Sequence, residues 1–270
     1  MILKAVKDIF KPRASALEQK MDLLLDHLWH IRHYNHEIIK ALKFAQLSDE
    51  KVVTFYHDGS HQIHFHVPKA TMDYIQGFHV MHESFWDLPT LTTLPDLKGK
   101  HVLDIGANVG NHAVYWGKIV GAESIVAFEP VAEIADIFER NASLNGLSNV
   151  RLERVALGEE DAKGTISSDA ANRMQSEIHV DSCGKTTIRR LDSYSFERVD
   201  FMKVDVEGHT IGLLRGAQET ISKHRPDIFI ELFTHERAEC DGILKSLDYR
   251  MAREYPDNNY LYQSKALMEP

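Results

Sequence analysis

An acidic residue stands directly before a glycine turn in the stretch HVLDIGANVGNHAVYWGKIV. Asp104 ends an apolar run, and Gly106, Asn108 and Gly110 form the turn after it. Glycines permit tight turns and let a ligand approach the backbone closely, and the helix that follows offers free N–H groups to an anion. A carboxylate before the turn would repel a pyrophosphate, but it would attract the ammonium of an amino acid, directly or through water. The pattern therefore favours a nucleoside joined to a methionine-like zwitterion over a dinucleotide, whose fingerprint is G-x-G-x-x-G.

A second acidic residue, Glu129, ends the next apolar run, SIVAFEP. It lies about 20 residues beyond the glycine turn, the distance at which a carboxylate reaches ribose hydroxyls in nucleotide-binding sheets. A glycine turn alone is a weak signal and is often a turn without a ligand. The turn, Asp104 and Glu129 together predict a site for an adenosine with a free 2′-hydroxyl.

A third polar set is formed by Asp205, Glu207 and His209, at alternate positions after an apolar run. In an extended segment the three side chains share one face. A base within hydrogen-bond reach of an alcohol contributes ~10²–10⁴-fold to its reaction as a nucleophile. His209 has the best intrinsic pKa for this task, and Asp205 is the alternative. The competing interpretation is that Glu207 caps the next helix and His209 is a solvated first-turn residue.

A divalent metal is the rival explanation for this polar set. With Glu231 and His235, the three residues offer the oxygen and imidazole ligands that Mg²⁺ or Mn²⁺ accepts. Acidic residues at strand ends are common without a metal, so the spacing leaves this hypothesis open and not favoured. Glu231 and His235 are otherwise expected to contact the substrate. Arg173, in the polar stretch 165–179, is expected to join them from a loop that is either a lid or simply exposed.

The element pattern from residue 101 onward predicts an α/β fold, a doubly wound and mostly parallel sheet with an antiparallel hairpin at its C-terminus. Expected strands are 101–105, 124–129, 150–156, 201–206, 228–233, 249–254 and 259–263. Ligands bind outside the carboxyl ends of parallel strands. Asp104, Glu129, Asp205 and Glu231 all fall at such ends.

The chain divides into three expected parts: an N-terminal helix at 1–48, an accessory segment at 49–99 and the main domain at 100–270. The accessory segment contains a hairpin centred on Asp58-Gly59, since apolar and polar residues alternate on both sides of this turn. Helical fragments are expected after it, near residues 71–79 and 83–94.

The N-terminal helix has a heptad pattern over about four heptads. Its a and d positions are Leu17, Met21, Leu24, Leu28, Ile31, Asn35, Ile38, Leu42 and Ala45. A single Asn at an a position favours a parallel pair in register. The pattern predicts a homo-oligomer formed through a short coiled coil. The alternative is an amphipathic helix packed on its own main domain.

Composition excludes several classes of partner. A net charge of −9 argues against nucleic acid, because binding to phosphates needs a basic face. No apolar stretch reaches the ~18 residues of a membrane span. Cys183 and Cys240 are too few for a disulfide framework, so a reducing cytoplasm is the simplest expectation.

Four runs, DIGANVG, AFEP, NVRLERVALGEED and LDSYSFERVDFMKVDVEGHTIGLLRGA, resemble the FkbM-type methyltransferase family. The resemblance covers roughly residues 100 to 235. It implies a class I methyltransferase fold, S-adenosylmethionine as the donor, and a hydroxyl of a sugar or glycan as the acceptor. By position it implies donor contacts for Asp104, Gly106, Asn108, Gly110, Glu129 and Ala156, and a place near the donor methyl for Asp205 and Glu207. His209 departs from the family, so its role is not inherited.

Two other functions fit the sequence less well. An NAD-dependent oxidoreductase requires the G-x-G-x-x-G fingerprint, which this turn lacks. A donor-binding interaction protein without catalysis predicts broken glycine or acidic positions, and these are intact.

Overall fold

The computed structural model of the chain describes residues 2–168, 176–206 and 208–265. The strands are β1 Val52–His57, β2 His61–His66, β3 His101–Ile105, β4 Ser124–Phe128, β5 Val150–Glu153, β6 Ala156–Leu157, β7 Ala162–Ser168, β8 Ser176–Val180, β9 Thr186–Arg189, β10 Phe201–Val204, β11 Asp227–Glu231, β12 Tyr249–Tyr255 and β13 Asn259–Ser264. The helices are α1 Ile2–Gln46, α2 Tyr74–His82, α3 Leu88–Leu91, α4 Asn111–Val114, α5 Ala132–Leu144, α6 Thr210–Arg215, α7 Gln218–His224 and α8 Thr234–Ser246. A π-helical turn, Tyr115–Val120, continues α4.

The main sheet has seven strands in the order β12-β13-β11-β10-β3-β4-β5. The five from β11 to β5 are parallel, and β13 and β12 continue the sheet antiparallel. This confirms the predicted α/β architecture and its C-terminal hairpin. The chain reverses its direction of winding between β10 and β3, which is where open α/β sheets bind their ligands.

Both faces of the main sheet are covered by core, as the apolar runs of its parallel strands require. Successive residues of β10 show this division. Phe201 packs with Trp116 in the core of one face, and Met202 packs with Leu213 in the core of the other. All four residues of β10 are buried, including the charged Lys203.

The accessory segment shares the core of the first face. Phe65 and Phe85 belong to the same cluster as Trp116. The hairpin β1–β2 forms around Asp58-Gly59 as predicted. Its second strand is fixed to α5, because Asn145 accepts from the His64 amide and donates to the His64 carbonyl. The hairpin is therefore held against the same helix that packs beside the glycine turn.

A second sheet, with the order β6-β9-β7-β8, was not predicted. The expectation of one strand over 150–156 is wrong in part, because β5 ends at Glu153 and Ala156 begins β6, which pairs with β9. The expectation of a loop over 165–179 is also wrong at both ends of that stretch. There β7 and β8 pair antiparallel. Residues 169–175, which include Arg173, lie outside the described residues.

The N-terminal helix extends over Ile2–Gln46, and the contacts that the structure describes between it and the rest of the chain lie near its end. Lys43 binds the Met81 carbonyl and the Glu83 carboxylate, and Phe44 packs against the core. Large apolar side chains are more than half exposed along residues 21–34, among them Leu28 and Ile31. Within the described ranges, no helix combines the length and hydropathy needed to cross a bilayer.

Candidate functional site

The carboxyl edge of the main sheet places the predicted residues side by side. Val204 aligns with Ile230 on one side and with Ile105 on the other, and Ile105 aligns with Phe128. The next residue on each strand therefore gives the row Glu231, Asp205, Gly106 and Glu129. Neighbours in this row are separated by one strand spacing, roughly 4.8 Å. Glu129, Asp205 and Glu231 therefore stand along one edge, whereas Asp104 lies two residues earlier on β3.

Gly106 and Gly110 take left-handed backbone conformations, with φ of 74° and 87°. A Cβ at Gly106 would overlap the Asp205 carbonyl oxygen, and one at Gly110 would lie 3.0 Å from the Phe138 ring. The sequence suggested that these glycines make room for a ligand. The structure adds a different reason, because neighbouring chain segments already fill the space where a side chain would be.

Amides of the glycine turn are occupied within the chain, so they are not free to hold the donor carboxylate. Those of Gly106 and Ala107 donate to the Phe128 carbonyl, and that of Gly110 donates to the Ala107 carbonyl. The Val109 amide donates to the Asn108 side chain. Anion contacts would therefore have to come from the chain beyond the turn.

Glu129 is tied directly to the glycine turn. Its two oxygens accept from the amides of Asn108 and Val131, at 3.0 and 2.9 Å. The side chain is 7% exposed. Burial raises the pKa of Glu129 to about 7, although both amide bonds oppose the rise. A carboxylate has about four acceptor sites, so two remain for further donors.

Asp104 is completely buried, and neither of its oxygens has a hydrogen-bond partner. The charged group beside it is Lys203, whose Nζ lies 3.5 Å from Asp104 Oδ1. Burial raises the pKa of Asp104, and the Lys203 ammonium opposes that rise. In this arrangement Asp104 is closed off from direct contact with a ligand ammonium. Its effect on the turn passes through Lys203.

Lys203 joins three parts of the edge. Its ammonium donates to the Gly106 carbonyl at 2.6 Å and lies 3.3 Å from Asp205 Oδ2. Burial lowers the pKa of Lys203, but the Asp205 and Asp104 carboxylates outweigh that effect and raise it above its ordinary value. The sequence reasoning missed this residue, although it stands two positions before Asp205 in the stretch KVDVEG. A charge inside an otherwise apolar strand was the available signal.

Asp205 and Glu231 follow the aligned residues Val204 and Ile230, so the two carboxyl groups stand at neighbouring strand ends. Burial would raise the pKa of Asp205, but the Lys203 ammonium holds it below its ordinary value. His112 also faces Asp205. Burial lowers the pKa of His112 to about 3, so its imidazole is neutral. His112 was likewise not predicted.

The His209 ring lies in a slot between two glycines. Its Nε2 is 3.2 Å from where a Cβ of Gly158 would lie and 3.3 Å from that of Gly212. Burial lowers the pKa of His209, and the nearby Glu236 carboxylate opposes this. Glu236 is buried and accepts from the Thr210 amide, so it fixes the start of α6. Sequence reasoning missed Glu236 too.

The remaining predicted residues are more scattered. His235 is exposed in the first turn of α8 and stacks on Phe233. Ala156 is buried in the second sheet. Glu207 lies outside the described residues. Among those that are described, no three His, Cys, Asp or Glu side chains are grouped so that they could hold a metal ion.

Comparison with known proteins places this site in a family. The Methyltransferase FkbM domain matches residues 104–251, which contain the whole carboxyl-edge row. The chain belongs to the FkbM methyltransferase family. It is 26% identical over 191 residues to Methyltransferase 1 of Beauveria bassiana, covering 58% of this chain and 74% of that protein. It is 23% identical over 194 residues to Methyltransferase sdnD of Sordaria araneosa, and this alignment covers 57% of this chain and 74% of that protein.

Solved structures also include methyltransferases similar to this chain. The FkbM methyltransferase of Methylobacillus flagellatus aligns with a TM-score of 0.48 at 20% identity, over 70% of this chain. This alignment covers 52% of the length of the Methylobacillus flagellatus protein.

Proposed function

We propose that this FkbM-family methyltransferase uses S-adenosylmethionine to methylate a hydroxyl of a sugar or glycan. The observation that carries the proposal is the setting of Glu129. Its carboxylate is held rigidly beside the glycine turn, with acceptor sites left for the two hydroxyls of a ribose. A nucleoside donor fits that chemistry.

Different parts of the carboxyl edge fit different parts of such a donor. Glu129 would hold the ribose, and the turn from Gly106 to Gly110 would lie under the amino-acid part. Because the amides of the turn are already used, the donor carboxylate is expected to meet the chain from Asn111 onward. When bound, the donor supplies a methyl group on a positively charged sulfur, which favours an edge rich in carboxylates.

Asp205 is proposed as the base that takes the proton of the acceptor hydroxyl while the oxygen–methyl bond forms and the sulfur–methyl bond of the donor breaks. The Lys203 ammonium keeps Asp205 ionised at neutral pH. Glu231 stands beside it at the end of the next strand, so the pair can accept one hydroxyl and orient its neighbour. Positioning of this kind accounts for much of the rate in group transfer. His209 and Glu207 remain proposed contacts of the same reaction.

The acceptor class follows from charge. Asp205 and Glu231 offer oxygen acceptors at the proposed reaction centre, and the whole chain carries −9. Hydroxyl groups donate to carboxylates, whereas phosphates are repelled by them. A neutral polyol such as a sugar therefore suits this edge better than a nucleic acid.

Transfer of a labelled methyl group tests the proposal. The enzyme would be incubated with S-adenosylmethionine labelled in its methyl group and with a pool of neutral glycans and glycosides. We expect label in an alkali-stable ether of the sugar. Label found only in protein, nucleic acid or a carboxyl ester would contradict it. A parallel reaction with EDTA tests the metal hypothesis, which gains support only if Mg²⁺ or Mn²⁺ restores lost activity.

We also propose that the chain forms a homo-oligomer through residues 17–45 of α1. The a and d side chains Leu24, Leu28 and Ile31 are each more than half exposed. An isolated helix gains little stability from its own hydrogen bonds, and burial of each such side chain stabilises by ~1.5–3 kcal/mol. Asn35, at an a position, is best satisfied by another Asn35 in a parallel copy.

A further inference from the structure

A group of partly exposed aromatic rings lies beside the glycine turn. Trp86 makes edge-to-face contacts with Tyr74 and Phe78, each with ring centroids 5.0 Å apart. Phe78 and Trp86 are half-buried, and Tyr74 is 56% exposed. The neighbouring Phe85 points inward and is completely buried. Core packing accounts for Phe85, but it does not account for the exposed parts of the other three rings. We name Tyr74, Phe78 and Trp86 the aromatic platform.

The aromatic platform is fixed to the start of α4. The Trp86 amide donates to the side-chain oxygen of Asn111, and the Asn111 side-chain amide donates to the Trp86 carbonyl, at 2.9 and 3.1 Å. Asn111 is buried and directly follows Gly110. The two hydrogen bonds between the Asn111 side chain and the backbone of Trp86 therefore hold Trp86 beside the end of the glycine turn.

The segment that carries Trp86 is bounded by two helix caps. Glu83 ends α2 and Asp87 begins α3, both with left-handed backbones, with φ of 50° and 53°. The Glu83 amide donates to the His79 carbonyl, as at many helix ends. The His79 ring, stacked on Phe65, binds the Ser84 carbonyl and supports the segment from the core.

The far end of this segment reaches the other side of the carboxyl edge. Burial raises the pKa of Asp87, the hydrogen bond with Thr90 opposes that rise, and the Asp257 carboxylate adds to it. Asp257 lies in the turn between β12 and β13, and the next residue, Asn258, accepts from the Leu232 amide at the end of β11. Residues 86–87 thus run from the glycine turn toward the strand that ends in Glu231.

We infer that the aromatic platform, with Asp87 and Asp257 beside it, is the subsite for the ring of a neutral sugar acceptor. The inference rests on the proposed function and adds where the acceptor lies. Aromatic faces carry partial negative charge and attract the weakly positive C–H face of a pyranose. The two carboxyl groups accept hydroxyls around the ring and repel acidic sugars. A sugar on Trp86 would present its hydroxyls to Asp205 and Glu231.

Direct binding tests this subsite without requiring turnover. Saturation-transfer NMR would be recorded on the full chain with S-adenosylhomocysteine, using methyl glycosides of neutral hexoses and 6-deoxyhexoses and the matching uronic acids. We expect signal from neutral glycosides, at least tenfold weaker binding in Trp86→Ala, and partial recovery in Trp86→Phe. The control Trp29→Ala, on the exposed part of α1, is expected to bind as wild type does.

Calorimetry with S-adenosylhomocysteine checks that each variant still folds and binds the donor product. Neutral-glycoside binding that survives Trp86→Ala unchanged, preferential binding of uronic acids, or no binding of any glycoside would each overturn the subsite. The proposed function fails separately, if labelled donor transfers no methyl group to any sugar. Methyl transfer to sugars with the same KM in wild type and Trp86→Ala would refute the subsite alone.

Discussion

The N-terminal helix and the carboxyl edge of the sheet have opposite arrangements of polarity. On α1, apolar side chains such as Leu28 and Ile31 are exposed. At the carboxyl edge, the polar side chains of Asp104, Lys203 and Glu129 are buried. Both arrangements are costly in a chain without a partner. The difference indicates the kind of partner that we propose for each region: a second apolar surface for the helix, and a polar ligand for the edge.

The largest effect is expected at the edge, from Asp205→Asn. Loss of the proposed base should lower kcat by ~10²–10⁴-fold, while donor affinity should stay nearly unchanged because the proposal places Asp205 beside the acceptor. Steady-state kinetics and calorimetry measure the two quantities. His209→Ala separates the two candidate bases. We expect a smaller loss, because its ring lies between Gly158 and Gly212. A larger loss in His209→Ala than in Asp205→Asn would make His209 the base.

The second effect concerns the buried cation of the edge. Lys203→Met leaves Asp104 and Asp205 without their shared ammonium, and removing one partner of a buried ion pair costs ~3–5 kcal/mol. Urea unfolding at pH 7 should show a loss of this size. The deficit should shrink at lower pH, where the carboxyl groups left without Lys203 take up protons. The exposed Lys98→Met is the control. Equal stability of the two variants would show that Lys203 is not needed to hold the edge.

The third effect tests the apolar helix. Glutamates at an a and a d position, in Leu28→Glu with Ile31→Glu, remove two of the side chains expected to be buried between copies, ~3 kcal/mol or more in each helix. Light scattering should show a smaller assembly, and donor affinity should not change. The control is His30→Glu with His33→Glu, on the outer face of the same turn. If the unaltered chain is monomeric at micromolar concentration, the coiled coil is wrong.

Sequence patterns predicted what depends on neighbours along the chain. The main strands and the glycine turn were found because an apolar run, an acidic end and a turn follow one another within a few residues. The partners of these residues could not be found in that way. Lys203 binds Gly106 across 97 residues, and Asn145 binds His64 across 81. Neither contact leaves a local period in the sequence.

The second sheet escaped prediction for a related reason. Strand β7 reads AKGTISS, a run of mostly small and polar residues whose one large apolar side chain is Ile166, so only its pairing with β8 and β9 defines it. The heptads of α1 show the opposite limit: a local pattern can predict an element without identifying what packs against it. Their period predicted the helix, but the same period fits a helix packed on its own domain. Only the exposed fraction of Leu28 and its neighbours favours a partner from outside.

The smallest effect distinguishes a ligand site from a merely buried carboxyl group, and it concerns Glu129. Burial raises its pKa from 4.5 to about 7, so this group lowers the free energy of unfolding as pH rises between these values. Ribose hydroxyls favour the ionised form, so donor affinity should increase as pH rises through about 7, and binding near that pH should release a proton.

Glu129→Ala should weaken donor binding by ~1–3 kcal/mol at pH 8 and abolish the pH dependence. The exposed Glu123→Ala should leave both unchanged. Calorimetry in buffers of different ionisation enthalpy measures the proton release, and a release that persists in Glu129→Ala would assign it to another group.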